Sequence, residues 1–240
     1  MILPNEGDKM KILVTGATKG IGKVIAENLD GEIFATGRNK EALKFYKNHF
    51  VADVAREDEL IALGDYIEKN DIDILINNAG SYIWSDVEKM SYVDINKIIS
   101  TNLTASLYLI SRAVKNMKTK RFGRIINIGS ISGVMGEAGA SAYSASKSGL
   151  IGMSKSLALE LAEYNITVNT INPGWVDTDL GVNSIDDSGF TKEEIIETIP
   201  QRRFVQPIEI ANLIKYLISD EAKGLTGQSI NLCAGLSVGY

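Results

Sequence analysis

Tyr143 and Lys147 stand four residues apart in a stretch of helical character, so they share one helix face. A free phenol has a pKa of about 10, too high for efficient proton transfer at neutral pH. An ammonium group beside it favours the phenolate and lowers that value. The pair alone would fit two surface residues. Ser130, thirteen residues upstream in INIGSISG, adds a hydroxyl at the carboxyl end of a predicted strand, where it could donate to a substrate oxygen. A second chemical group lies near the start of the chain, in Thr15-Gly16-Ala17-Thr18-Lys19-Gly20-Ile21-Gly22. Glycines at this spacing permit a tight turn and close approach to a pyrophosphate, and the next helix offers free N–H groups and a partial positive charge. The spacing is Gly-x-x-x-Gly-x-Gly rather than the commoner G-x-G-x-x-G, and its place after a first strand points to nucleotide binding.

The rest of the composition removes other chemistries. There is one cysteine, Cys233, and one histidine, His49. That excludes an intrachain disulfide, a cysteine-rich zinc site and a multi-histidine metal site, so no metal is expected. A Ser-His-Asp triad would have to use His49.

Elements able to hold these groups alternate along the 240 residues, a length that suits one domain. Lys11–Thr15, Glu32–Thr36, His49–Val54, Ile72–Ile76, Arg124–Ile128, Thr167–Ile171 and Ser229–Leu232 read as seven strands. Near-continuous apolar runs of this kind suit a parallel sheet buried on both faces. Ile99, Leu103, Leu107, Ile110, Val114 and Met117 form one helical stripe. Residues 144–162 are helical again, with Ala145, Ser148, Gly149 and Gly152 able to let another backbone approach. Pro207 opens a last helix through Ile210, Leu213, Ile214 and Leu217. The alternation predicts an α/β fold, a single doubly wound parallel sheet of about seven strands over residues 1–240, with ligands above the carboxyl ends of its strands. Residues 177–206 interrupt the alternation and are expected to form a substrate lid.

A formal net charge of −5 and no long basic run argue against nucleic-acid binding. No apolar stretch approaches the roughly 20 residues of a membrane span, and the first residues lack a signal-peptide pattern. The expectation is a cytoplasmic protein with no membrane partner.

With these residues in order, the chain resembles the short-chain dehydrogenase/reductase family over essentially its whole length. TGATKGIG, NNAG at Asn77–Gly80, Asn102 in STNL, Ser130, YSASK at Tyr143–Lys147 and NPGWVDT at Asn172–Thr178 match the family's order and approximate spacing. The resemblance implies a Rossmann-like sheet of seven parallel strands and a catalytic tetrad of Asn102, Ser130, Tyr143 and Lys147. Tyr143 would be the general acid/base, and Ser130 would hold the carbonyl oxygen. Lys147 would lower the tyrosine pKa and bind the nicotinamide ribose, and Asn102 would position a water in a proton relay. The glycine turn (Gly16, Thr18, Lys19, Gly20, Ile21, Gly22) and Ala79, Gly80, Pro173, Gly174, Val176 and Thr178 would contact the cofactor, with Asp53, Val54 and Asn78 on its adenine side.

Charge argues for NADP(H). The usual acidic position at the end of the second strand is Gly37, with Arg38 next to it. An acid there would hold the ribose hydroxyls of NAD and repel a 2′-phosphate. Arg38 and Lys19 are instead two cations able to converge on that phosphate.

Within the family the chain resembles 3-oxoacyl-[acyl-carrier-protein] reductases and polyketide ketoreductases, which implies a carbonyl substrate, here an acyl thioester. Two departures are notable. Ser81-Tyr82-Ile83-Trp84 replaces the Thr-Arg-Asp stretch common after NNAG. Of two basic positions expected to meet a carrier protein, Arg121 is present and the second is Tyr164. Reduction of a free ketone, sugar or polyol is the in-class alternative, and a non-catalytic NADP sensor is the remote one. Trp175 is expected in the substrate cleft, while Trp84 fits the cleft or ordinary packing equally. His49 and Cys233 are expected to be structural. The small-residue helix and the family resemblance point to a homotetramer or homodimer.

Overall fold

A computed structural model describes residues 9–178, 181 and 190–238. Its strands are β1 (Lys11–Thr15), β2 (Glu32–Gly37), β3 (Asn48–Val51), β4 (Ile74–Asn77), β5 (Gly123–Ile128), β6 (Ile166–Pro173) and β7 (Ser229–Leu232). The helices are α1 (Gly20–Asn28), α2 (Lys40–Leu43), α3 (Glu57–Asn70), α4 (Tyr92–Ile99), α5 (Ala105–Lys120), α6 (Ser132–Met135), α7 (Ser141–Leu161), α8 (Lys192–Thr198) and α9 (Pro207–Ile218). All seven strands join one parallel sheet in the order β3-β2-β1-β4-β5-β6-β7. The order reverses between β1 and β4, and the carboxyl ends around that reversal form the ligand edge of a doubly wound sheet.

Strand alternation sends side chains to two cores. Ile12, Val14, Ile74, Ile76, Ile126 and Ile128 pack with Ile25 of α1 and Ile210 and Ile214 of α9. Leu13, Leu75, Ile125 and Val168 pack on the other face with Leu63 and Ile67 of α3 and Leu109, Ile110 and Ala113 of α5. Each such Ile, Leu or Val side chain, fully buried, contributes about 1.5–3 kcal/mol. A buried polar chain ties the sheet to α7. Asn77 Nδ2 donates to Asn127 Oδ1 at 2.9 Å, Asn127 Nδ2 donates to Ser154 Oγ at 2.9 Å, and Ser154 Oγ meets Thr170 Oγ1 at 2.8 Å. Paired groups of this kind hold a helix at one register, because sliding it would orphan each of them.

Two expectations about the elements need correction. The third strand ends at Val51 rather than Val54, so Asp53 and Val54 sit on the loop above the sheet. The helical stripe from Ile99 to Met117 is also broken. Residues Ser100–Thr104 form a π turn, in which the Ala105 N–H reaches back five residues to the Ser100 carbonyl. One extra residue in a turn rotates the remainder of the helix by about 100°. Leu107 is therefore 47% exposed, while Ile110 and Met117 of the expected stripe stay buried together with Ala105, Leu109 and Ala113.

Part of the small-residue surface of α7 is used inside the chain. A Cβ on Gly149 would lie 2.7 Å from Leu103, whereas one on Gly152 would meet nothing within 4 Å. Of the segment 177–206, residues 179–180 and 182–189, on which much of the expected lid falls, lie outside the described residues. Its described end is anchored. A reciprocal capping box between Thr191 and Glu194 opens α8, Ile195 and Ile199 enter the core, and Val176 pairs with Val205.

Candidate active site

The glycine turn leaves β1 and is fastened from β4. Thr15 Oγ1 accepts the N–H groups of Asn78 and Ala79, both at 2.9 Å. Asn78 Nδ2 donates to the Thr15 carbonyl at 2.9 Å. Asn78 thus lines the cleft while its amide holds the turn. A Cβ on Gly22 would lie 2.3 Å from the Gly16 carbonyl oxygen, which is why this position has no side chain. Gly20 differs: its φ is +53°, and a Cβ there would meet only Thr178, at 3.8 Å. This glycine serves the backbone turn and leaves an open cradle in front of α1. No side chain caps the first turn of α1, so its N–H groups face the cleft. An uncapped helix end, an open cradle and two nearby cations fit a dinucleotide phosphate.

At the far end of the cleft, Arg38 lies just beyond β2. Its side chain is 71% exposed, with Nη1 3.8 Å from Asp53 Oδ2. Asp53 Oδ1 also accepts from Ala55 N at 3.1 Å. A Cβ at Gly37 would stand 2.8 Å from Thr18 Cγ2, so the absence of an acid here is joined to close packing under Thr18.

The reactive end is built by β5 and α7. Lys147 is buried, its Nζ donates to the Ile128 carbonyl at 2.7 Å, and it lies 5.6 Å from the centre of the Tyr143 ring. Burial pulls Lys147 down to about 8. Burial likewise pushes Tyr143 up to about 12, drawn back by a hydrogen bond with Ser130 and raised further by the charge of Glu137. Contrary to the expectation from spacing, the ammonium does not dominate Tyr143 in this structure; withdrawal from water does. Ser130 Oγ donates to Ser132 Oγ at 3.0 Å and accepts from Ser132 N at 3.1 Å. Ser132 Oγ donates to Glu137 Oε2 at 2.5 Å, and Tyr82 OH donates to Glu137 Oε1 at 2.7 Å. The Tyr82 ring meets the Tyr143 ring edge-on, with centroids 5.0 Å apart.

One cleft of about 590 Å³ brings together Ser130, Tyr143 and Lys147 with every residue expected to hold a cofactor, from Gly16 and Arg38 to Pro173, Gly174, Val176 and Thr178. Asn102 is the exception. It sits behind the wall, buried on the π turn, with Oδ1 accepting from Ser81 N at 2.7 Å and Nδ2 donating to the Ser81 carbonyl at 2.9 Å and Ser146 Oγ at 3.0 Å. Its side chain is committed to this scaffold, and its backbone carbonyl, which already accepts from Ser106 Oγ at 3.2 Å, keeps one further lone pair for a water. Tyr82, Ser132 and Glu137 also line the cleft and were not expected there. Glu137 is the only carboxylate between Ser130 and Tyr143 in the sequence, a signal available to inspection.

Trp175 lines the cleft, stacked on Phe204 with centroids 5.8 Å apart. Trp84 instead covers Gly139, where a Cβ would meet its Nε1 at 2.1 Å. His49 Nδ1 contacts the Tyr46 carbonyl at 2.8 Å, and Cys233 is buried. At the carboxyl end of α5, Lys118 and Arg121 lie 5.0 and 5.9 Å from the centre of the Tyr164 ring, so Tyr164 gathers two cations where one had been expected. Among the described residues no His, Cys, Asp and Glu cluster could hold a metal ion, and no helix is long and apolar enough to cross a membrane.

A family profile described as enoyl-(acyl carrier protein) reductase, within the short-chain dehydrogenase/reductase family, matches residues 16–237. The 3-oxoacyl-[acyl-carrier-protein] reductase FabG of Rickettsia bellii is 38% identical over 234 residues, covering 93% of this chain and 95% of that protein. Nodulation protein G of Rhizobium sp. (strain N33) is 39% identical over 240 residues, covering 95% and 97%. Among solved structures, a variant actinorhodin polyketide ketoreductase crystallised with NADPH superposes with a TM-score of 0.91 at 32% identity, over 96% of this chain and 98% of that one.

Proposed function

The chain belongs to the short-chain dehydrogenase/reductase family of nicotinamide-dependent oxidoreductases, and on that premise we propose that it reduces a ketone to a secondary alcohol with NADPH. The observation that carries the reading is one cleft holding Ser130, Tyr143 and Lys147 at one end and the glycine turn with Arg38 at the other. NADPH, when bound, supplies a hydride to the carbonyl carbon. The residues of the chain manage the oxygen. Ser130 donates a hydrogen bond to it, and Tyr143 gives it a proton as the hydride arrives. A phenol held near 12 keeps its proton until that moment. Lys147, largely charged at neutral pH, stabilises the phenolate that remains and holds the nicotinamide ribose. Asn102 acts through its carbonyl on a water that returns the proton. Lys19 and Arg38 take the 2′-phosphate; Asp53 and Val54 flank the adenine.

The substrate class is a 3-oxoacyl compound, carried as a thioester. The names of the relatives support this, and so does the pair of cations on Tyr164, which suits an acidic carrier surface. A second copy of the chain covers part of the surface in a homodimer or homotetramer. Exposures of 77% at Tyr92, 72% at Val93 and 87% at Leu159 support that. A panel of NADPH-consumption assays tests the substrate class. A 3-oxoacyl thioester should be reduced with a higher kcat/KM than simple ketones, sugars or polyols. A preference for a free ketone or polyol would overturn the acyl assignment, and no activity on any carbonyl would overturn the enzyme reading.

A further inference from the structure

The hydrogen-bond bookkeeping around Ser130 has one direction. A carboxylate only accepts, so both contacts of Glu137 must be donated, one by Tyr82 and one by Ser132. Having given its proton to Glu137, the Ser132 hydroxyl can only accept from Ser130, 3.0 Å away. Ser130 in turn accepts from the Ser132 N–H. The proton of Ser130 is thereby drawn along the chain Ser130, Ser132, Glu137 and away from Tyr143. Glu137 itself is held in place by two loops that clasp one another. Tyr82 reaches it from the segment after β4, Ser85 N donates to the Gly139 carbonyl at 2.7 Å, and Trp84 covers Gly139. The unusual Ser81-Tyr82-Ile83-Trp84 stretch and the lone carboxylate at Glu137 are thus two halves of one structure.

We propose that Glu137 is a positioning residue: acting through Ser132, it fixes the direction of the Ser130 hydroxyl, so that the resting site presents Ser130 to Tyr143 as an acceptor and Tyr143 keeps its proton. The bond by which Ser130 draws Tyr143 back down must be donated to the phenolate, so that support, like a grip on a substrate oxygen, forms only when Ser130 turns its proton out of this chain. Among the described residues, the titratable and charged groups around Tyr143 are Lys147 on its own helix, Glu137 on the loop before it and Tyr82 from the β4 loop, with Lys97 of α4 also lining the cleft. Glu137 adds a negative charge that opposes the phenolate, and the polarised chain opposes it again by withholding the proton of Ser130.

These two effects separate by mutation. Ser132→Ala leaves the charge of Glu137 and cuts the chain, freeing Ser130 to donate to Tyr143. Glu137→Gln removes the charge in a side chain of the same shape. Incorporated 3-fluorotyrosine brings phenol ionisation into an accessible range, and ¹⁹F NMR reads each ring, with the Tyr143 signal assigned by its loss in Tyr143→Phe. The midpoint of Tyr143 should fall in both variants. In Ser132→Ala the fall should be about half a unit to one unit, the equivalent of one ordinary hydrogen bond. A fall in Glu137→Gln alone would show a charge effect without the chain, and no fall in either would show that Glu137 only holds the loops. Either result overturns the proposal. The grip of Ser130 on a substrate oxygen rests on the ketoreductase reading, and a second readout addresses it. With ethyl 3-oxobutanoate as the probe, Ser132→Ala should lower KM by about two- to tenfold, because Ser130 no longer breaks a bond to donate. If no ketone is reduced by the wild type, that reading fails while the titration still decides the role of Glu137.

Discussion

Arg38→Ala should weaken NADPH while leaving NADH nearly untouched. Arg38 is a solvated residue at the rim, 71% exposed and only loosely paired with Asp53 at 3.8 Å. Its removal leaves no buried group unsatisfied, so stability should change by no more than about 0.5 kcal/mol. Toward a 2′-phosphate it offers a fork of charged donors. A charge-assisted hydrogen bond contributes about 1.5–3 kcal/mol, and exposure to water reduces this to about 1–2 kcal/mol. The expected loss is therefore about five- to thirtyfold in kcat/KM for NADPH. Asp53 sharpens the effect. Once Arg38 is gone its carboxylate faces the phosphate uncompensated, so adding Asp53→Asn to Arg38→Ala should recover part of the loss. Gly37→Asp needs a control, because any Cβ at Gly37 would press on Thr18 Cγ2 at 2.8 Å. Gly37→Ala should impair both cofactors alike through that contact, and Gly37→Asp should impair NADPH further. The assay is steady-state kinetics with each cofactor at low and at high salt. Equal losses with NADPH and NADH in Arg38→Ala, or a wild type that uses NADH as well as NADPH, would refute the reasoning.

Lys147 carries a pH signature. Its folded value of about 8 lies below the roughly 10.4 of an unfolded lysine, so between those values the unfolded chain binds more protons and stability rises with pH. Urea unfolding at pH 8 and pH 10 should show this rise in the wild type and a smaller one in Lys147→Met. Gly20→Val, placing a branched side chain at φ +53° in the open cradle, should abolish cofactor binding by titration calorimetry while the chain still folds by circular dichroism. Light scattering at micromolar concentration should give a dimer or tetramer, and a monomer would contradict the oligomer.

Much of this was legible in the sequence because buried parallel strands are continuous apolar runs: six of the seven strands lie where the pattern put them to within two residues. The exception is instructive. His49–Val54 looked like one strand, but the ladder ends at Val51, and Ala52 N turns to the Gly37 carbonyl at 3.0 Å. The π turn at Ser100–Thr104 was invisible to a period of 3.6 residues, since the apolar spacing of Ile99, Leu103 and Leu107 continues straight through it. At the site, Tyr143 and Lys147 could be read from spacing because one helix carries both. Tyr82 comes from the loop after β4, whereas Ser132 and Glu137 come from the stretch between β5 and α7, and no periodicity joins them. The balance of forces on Tyr143 was also hidden, because spacing shows that Lys147 is near but not how far both groups are withdrawn from water.

The most direct test of the central claim is a single turnover of bound NADPH on ethyl 3-oxobutanoate, monitored by the loss of reduced-nicotinamide absorbance, in the wild type and Tyr143→Phe. Both proteins should bind NADPH with similar affinity by cofactor fluorescence, and the variant should oxidise it about 10²–10⁴ times more slowly. A Tyr143→Phe protein that turns over at half the wild-type rate would contradict the account.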